Sequence, residues 1–199
     1  MKFRDLIFVA AAGVLGIVSS TAMANKPGSE NCPVVRMTTS MGDIDIEVYS
    51  TSAPATAENF LQYVSEGFYD GLVFHRVIPN FVIQGGGFEP GMTQRANRSP
   101  IKNEADNGLK NAIGTLSMAR TNEPHSASSQ FFINLNDNES LDHRGKNPSG
   151  WGYAVFGRVV AGMDVVGEIA VTETTTAGPF KDVPASDIII EKAQILSPD

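Results

Sequence analysis

Short β-type runs separated by loop-forming residues constrain the fold of this chain more than any other feature. The runs are rich in β-branched and aromatic residues, and Gly, Asn, Pro and Asp cluster between them. They cover residues 72–77, 81–84, 115–119, 130–135, 154–160 and 188–196. Many short strands with this punctuation are typical of a sandwich or a barrel. The pattern by itself predicts a mostly β domain.

Regular periodicity in other segments adds a hairpin and two helices. Residues 34–39 and 43–49 flank a Ser-Met-Gly turn, and the second arm alternates apolar with acidic residues. This alternation predicts a hairpin with one buried face. Apolar residues recur at helical spacing over residues 54–66, with a proline near the start and a glycine after the end. Residues 163–170 predict a second helix.

The first 24 residues have the features of a cleaved secretory signal. Lys2 and Arg4 give a basic start, an apolar run follows from residue 6 to residue 18, and an Ala-Met-Ala sequence supplies small residues for cleavage. The apolar run is short for a bilayer span, so a retained membrane anchor is the weaker alternative.

The signal determines the organisation and location that we expect. We predict a signal peptide over residues 1–24, a flexible segment over residues 25–33 and one domain over residues 34–197. An exported chain of this kind is expected in the periplasm, with release outside the cell as the alternative. No later segment is long and apolar enough to cross a membrane, so no membrane partner is expected after cleavage.

The charge of the mature chain argues against nucleic acid as a partner. The full sequence has 15 basic and 22 acidic residues, and removal of Lys2, Arg4 and Asp5 leaves 13 and 21, a formal charge of −8. Binding to phosphate backbones depends on clustered Lys and Arg.

Cys32 is the single cysteine, so no internal disulfide can form and stability must come from packing.

One segment, residues 74–88, places a guanidinium and an amide among closely spaced large apolar residues. The guanidinium is that of Arg76 and the amide is that of Gln84. A second segment, residues 129–134, adds two aromatic residues and another amide, and Met-Ala-Arg at 118–120 lies between the two in sequence. A fixed cation and amides beside apolar walls suit a pocket for an apolar ring attached to a peptide.

Together these segments resemble the cyclophilin family of peptidyl-prolyl cis/trans isomerases, over roughly residues 34 to 197. The resemblance implies a closed, eight-stranded antiparallel β-barrel capped by two α-helices. It also implies a monomer that accelerates rotation of X-Pro bonds in exported polypeptides and so assists folding. That rotation breaks no bond, so no cofactor or metal is expected.

The resemblance also assigns roles to individual residues. It makes Arg76, Phe81 and Gln84 catalytic, with Arg76 as the donor to the twisted amide. The residues that it implies for substrate binding are Val82, Ala119, Arg120, Gln130, Phe132, Leu141 and Tyr153.

Four positions depart from the family's usual residues. Val82 stands in place of methionine, Arg120 of asparagine, Ser140 of tryptophan and Tyr153 of histidine. The loss of the tryptophan predicts weak cyclosporin binding. The Met-Ala-Arg-Thr sequence at 118–121 and the replacements at Ser140 and Tyr153 are more similar to the bacterial exported branch of the family.

Each assignment has a structural alternative. Phe81, Phe132 and Leu141 could be ordinary core residues, Arg76 an ion-pair member and Gln84 an amide that serves a turn. Adjacent strand residues point to opposite faces, so residues 131 and 132 cannot both line one pocket, and Phe132 is the better candidate.

The function also has alternatives. A catalytically weak proline-binding chaperone, or a surface interaction module, could use the same groove. A metal site is disfavoured because His75, His125 and His143 lack metal-ligand spacing. A serine hydrolase is disfavoured because no nucleophile elbow surrounds the serines at 126–129.

Overall fold

The computed structural model describes residues 32–196. The predicted signal peptide, most of the predicted flexible segment and residue 197 lie outside the described residues. Within residues 32–196, no helix is long and apolar enough to span a bilayer.

The described chain is mostly β-structure with two α-helices and two short 3-10 helices, at residues 105–107 and 139–141. In chain order the elements are β1 (Val34–Thr39), β2 (Gly42–Val48), α1 (Pro54–Ser65), β3 (Phe74–Ile78), β4 (Val82–Gly85), β5 (Phe88–Glu89), β6 (Thr93–Gln94), β7 (Thr115–Met118), β8 (Phe131–Asn134), β9 (Val155–Ala161), α2 (Met163–Ala170), β10 (Thr174–Ala177), β11 (Phe180–Pro184) and β12 (Ile190–Leu196). The predicted hairpin and both predicted helices are confirmed.

Eight strands form one antiparallel sheet in the order β12-β1-β2-β9-β7-β8-β4-β3. The prediction of a closed barrel is wrong, because the sheet is an open half-barrel whose edge strands β12 and β3 form no ladder. The chain meets at the start of these two strands, through an isolated bridge between Val73 and Ile189 and the backbone hydrogen bonds next to it. Beyond this point β12 forms a ladder with β1, and β3 packs next to β11 instead of β12.

The core combines buried residues of the large sheet with buried residues of the two helices. α1 begins with proline at its first turn, and the carboxylate of Glu104 accepts the N–H groups of Ala55 and Thr56 at 3.2 and 2.9 Å. An acceptor at that end satisfies donors that a helix leaves unpaired. Phe60 of α1 packs edge-on against Phe131 of β8, with ring centroids 5.8 Å apart. This packing fixes the face of β8 that is left for a site.

Candidate active site

A row of directly paired residues crosses four neighbouring strands. Arg76 of β3 pairs with Gln84 of β4, Gln84 pairs with Phe132 of β8, and Phe132 pairs with Ser117 of β7. Directly opposed residues of antiparallel strands project from the same face. The sheet therefore brings the predicted guanidinium, amide and aromatic ring together on one surface.

Arg76 lies at the exposed edge of this row. Its Nε is 3.7 Å from Oδ2 of Asp182, and both side chains are about two-fifths exposed, at 41% and 43%. Asp182 lies in β11 with a φ of 59°, a left-handed conformation that is uncommon for a residue other than glycine. Exposed ion pairs contribute only about 0–1 kcal/mol to folding, so this pair orients the guanidinium more than it stabilises the fold.

The two predicted amides are hydrogen-bonded to each other. Nε2 of Gln84 donates to Oε1 of Gln130 at 2.9 Å. Gln130 lies over Gly87, where a Cβ atom would approach its side chain to 2.5 Å. A larger residue at position 87 would therefore force the Gln130 side chain to move, and with it the amide pair.

Phe132 lies among the residues that are predicted to form the apolar pocket. This side chain is 4% exposed, and its ring meets that of Tyr153 edge-on, with centroids 5.5 Å apart. The N–H of Tyr153 donates to the carbonyl of Leu141 at 2.9 Å, and both Leu141 and Phe81 are half-buried. Phe131, in contrast, is completely buried in the core. The prediction that Phe131 belongs to the core is confirmed, whereas the pocket role of Phe132 stays a prediction.

Asn138, a buried residue that the sequence did not reveal, is hydrogen-bonded to segments that carry the predicted pocket residues. Nδ2 of Asn138 donates to the carbonyl of Phe81 at 2.9 Å and to Oδ1 of Asn134 at 2.7 Å. The carbonyl of Asn138 accepts the N–H of Leu141 at 2.9 Å. Asn134 is on β8, two residues from Phe132. One residue therefore connects three segments that carry predicted pocket residues, two through its side-chain amide and the third through its backbone carbonyl.

We expect Asn138→Asp to lower kcat/KM for a proline peptide by on the order of 10-fold, mainly through KM. The carboxylate would oppose two oxygen atoms that now accept hydrogen bonds, and an unsatisfied buried group costs about 1–3 kcal/mol. Steady-state kinetics well below the melting temperature would measure this effect. Asp70→Ala is the control, because Asp70 Oδ1 accepts the N–H of Ala193, which is not a pocket residue. An equal rise in KM for both variants would contradict a role specific to the pocket.

His75, the residue before Arg76, is buried and uncharged. It is 5% exposed, its ring lies 4.6 Å from that of Phe88, and Nδ1 has no hydrogen-bond partner among the described residues. Burial lowers the pKa of His75 to about 4, so the imidazole is neutral at pH 7. Within residues 32–196, no group of three or more His, Cys, Asp or Glu residues could hold a metal ion.

The remaining predicted residues lie around the row or border the adjoining groove. Val82 is buried on β4 opposite Asn134, and the N–H of Ala119 donates to the carbonyl of Gln130 at 2.9 Å. The guanidinium carbon of Arg120 lies 4.6 Å from the centre of the Tyr153 ring, and Nε donates to the carbonyl of Gly152 at 3.0 Å. All ten predicted residues are thus in the same region of the molecule, while their individual roles stay predictions.

Such an arrangement suits noncovalent catalysis on a peptide. It offers a guanidinium, two amides and an aromatic ring on a single face of the sheet. A model of the family described as cyclophilin type peptidyl-prolyl cis-trans isomerase matches residues 34–195. The chain belongs to the cyclophilin family.

Named relatives confirm the enzyme class of this cyclophilin. It is 55% identical over 162 residues to peptidyl-prolyl cis-trans isomerase B of Escherichia coli K12, covering 81% of this chain and 99% of that protein. It is 48% identical over 185 residues to peptidyl-prolyl cis-trans isomerase A of Dickeya dadantii, covering 93% and 96%. The predicted peptidyl-prolyl isomerase activity is therefore confirmed.

A solved structure shows the same fold. The cyclophilin type isomerase of Cryptosporidium parvum, whose crystal structure was obtained in the presence of the dipeptide Ala-Pro, matches with a TM-score of 0.71 at 27% identity. The match covers 83% of this chain and 99% of the other. The overall fold of this chain is thus similar to that of a solved cyclophilin.

Proposed function

We propose that this cyclophilin acts in the periplasm as a monomer without a cofactor, and that it assists the folding of exported polypeptides by isomerising their X-Pro bonds. The observation that carries the catalytic part is the row Arg76–Gln84–Phe132 on adjacent paired strands. Proline-containing polypeptides are the substrates that the family implies.

Catalysis requires stabilisation of a twisted amide. Rotation about X-Pro is slow because the amide must lose its resonance, at a cost of about 18–20 kcal/mol, whereas cis and trans differ by only ~0.5–1 kcal/mol. The twisted prolyl nitrogen regains a lone pair, to which Arg76 donates a hydrogen bond. The ion pair with Asp182 engages Nε of Arg76, which leaves the terminal nitrogens to face the substrate.

The other residues of the row restrict how the substrate can move. Phe132, Phe81 and Leu141 hold the proline ring, so that the chain on the other side of the bond rotates. Gln84 orients the carbonyl of that chain, and its bond to Gln130 keeps the amide in place. Preorganisation of this kind lowers the barrier because the groups need not rearrange during rotation.

Magnitudes show that the arginine does not act alone. An acceleration on the order of 10⁶-fold requires about 8 kcal/mol of differential stabilisation. A charge-assisted hydrogen bond supplies about 1.5–3 kcal/mol. The ring pocket and the oriented amide must therefore supply the larger part.

The residue pattern of the N-terminal segment, with its basic start, apolar run and small residues, supports export. Residues 34–199 are 166 of the 199 residues, about 83% of the chain. The match to the Dickeya relative covers 93% of the chain, and a match to an Acinetobacter baylyi isomerase covers 92%. Both matches therefore extend into the first 33 residues. Cell fractionation tests the location, and the periplasmic fraction is where we expect the protein. Sequencing of its N-terminus tests the cleavage, with Asn25 as the expected first residue.

The decisive test of the catalytic proposal is the isomerisation rate of Ala-X-Pro peptides with and without the purified protein. Acceleration is expected, and a metal chelator should leave the rate unchanged because the chemistry requires no Lewis acid. Binding of these peptides without acceleration, by a protein with an intact circular dichroism spectrum, would favour the proline-binding chaperone or surface module instead.

A further inference from the structure

A polar groove continues from the catalytic row away from the apolar pocket. Its volume is ≈ 490 Å³, and Gln84, Gln130 and Ala119 form the side that it shares with the row. The rest of its lining is polar apart from one proline and consists of Gln94, Asn97, Arg98, Pro100, Arg120, Thr121, Ser126 and Ser128. No carboxylate is among these residues, although the chain as a whole has 22 acidic and 15 basic residues.

The two arginines of the groove differ in their charge environment. Nη1 of Arg98 contacts both carboxylate oxygens of Glu66 at 2.8 Å, so its charge is already compensated. Arg120 forms no ion pair with any described residue and is held by neutral groups. Nε donates to the carbonyl of Gly152 and Nη1 to that of Thr121, at 3.0 and 2.9 Å.

The contacts of Arg120 fix its position and leave donors available. The guanidinium lies against the Tyr153 ring, and Nη2 makes no hydrogen bond to the described residues. Arginine has five N–H donors in a planar fork that matches the geometry of a carboxylate. A fixed, uncompensated guanidinium with unused donors favours an anionic group over a neutral one of the same shape.

We infer that Arg120 determines specificity by selecting polypeptides with an aspartate or glutamate side chain within three residues of the proline. An extended chain advances about 3.3 Å per residue. Gln84 belongs to both the row and the groove, so a substrate segment that passes Gln84 enters the groove within three residues of the proline. The inference rests on the proposed function and adds to it a substrate class. The acidic residue binds by charge-assisted hydrogen bonds to Arg120, while the proline ring occupies the pocket at Phe132.

The test uses matched proline peptides with Glu, Gln or Lys at each of the three positions on either side of the proline. At low salt we expect kcat/KM to be on the order of 5-fold higher for Glu than for Gln at one position or more, and lowest for Lys. The preference should decline as salt rises, because a half-exposed ion pair is screened. Equilibrium binding of the same peptides should give the same order, independently of turnover.

Variants assign the preference to one side chain. Arg120→Gln should reduce the Glu-to-Gln ratio to about one, and Arg120→Lys should retain part of it. Arg158→Gln is the matched control, since Arg158 pairs with Glu47 on β2 and is not part of the groove. Equal kcat/KM and equal binding for Glu and Gln peptides, or a preference that survives Arg120→Gln, would overturn the inference. Isomerisation of the Gln peptides in that case would leave the proposed function intact.

Discussion

Arg76→Ala is expected to lower kcat/KM for a proline peptide by on the order of 10²-fold or more. That factor corresponds to about 2.7 kcal/mol, the scale of one preorganised charge-assisted donor. The loss should appear chiefly in kcat, because the hydrogen bond to the prolyl nitrogen forms only when the amide is twisted. A protease-coupled or NMR exchange assay at several peptide concentrations would measure both parameters.

Two variants separate this effect from general damage. Arg76→Lys keeps the charge but not the fixed fork, so its activity should lie between those of the wild type and Arg76→Ala. His75→Ala should reduce activity less, because His75 is neutral, buried and packed against Phe88. A larger loss for His75→Ala than for Arg76→Ala, with both proteins folded, would contradict this assignment. It would mean that the active site lies on the face of β3 that carries His75.

The parts of the fold that the sequence predicted are those set by local periodicity. The alternation of Ile44, Ile46 and Val48 with acidic residues fixes which face of β2 is buried, and all three apolar side chains are fully buried. α2 has the predicted bounds, Met163–Ala170. These features depend on neighbouring residues only, so a single sequence is sufficient to reveal them.

Features that depend on distant segments were wrong or were missed. The edge strands β12 and β3 form a ladder or stay apart according to how residues 72–74 pack against residues 188–190. These segments are more than 100 residues apart in sequence, so no local pattern predicts their contact. A local feature, the hairpin of β10 and β11, was also missed, because the Thr-Glu-Thr-Thr-Thr run at 172–176 lacks the apolar alternation of a half-buried strand. Its signal was Gly178, which has a φ of 57° in the turn between the two strands.

The same distinction applies to the site. Strand alternation separates Phe131 from Phe132, but the pairing of Arg76 with Gln84, and of Gln84 with Phe132, requires the register of three strands. Asn138 lies in the polar run of residues 136–140, so nothing in the sequence distinguishes it from its exposed neighbours. Only its burial and its bonds to Phe81 and Asn134 reveal its role in positioning the pocket walls.

Ser140→Trp is expected to tighten cyclosporin inhibition by roughly 30- to 1,000-fold. Ser140 is exposed in the 3-10 helix at 139–141, directly before the pocket residue Leu141. A large aromatic anchor at an interface contributes about 2–4 kcal/mol, through buried apolar area and, for tryptophan, an N–H donor. The serine of this chain supplies neither, so we expect the unmodified protein to bind cyclosporin weakly.

Peptide turnover should change only modestly in Ser140→Trp, because the proline ring is held by Phe81, Phe132 and Leu141 and not by residue 140. Glu139→Trp is the matched control: it places the same indole on an exposed neighbour in the same helix, one residue farther from Leu141. Inhibition constants and kcat/KM measured for all three proteins separate a gain at position 140 from general hydrophobic adhesion. Nanomolar inhibition of the unmodified protein would contradict this account. So would equal tightening by both tryptophan variants, since the effect would then not depend on where the indole stands relative to the ring pocket.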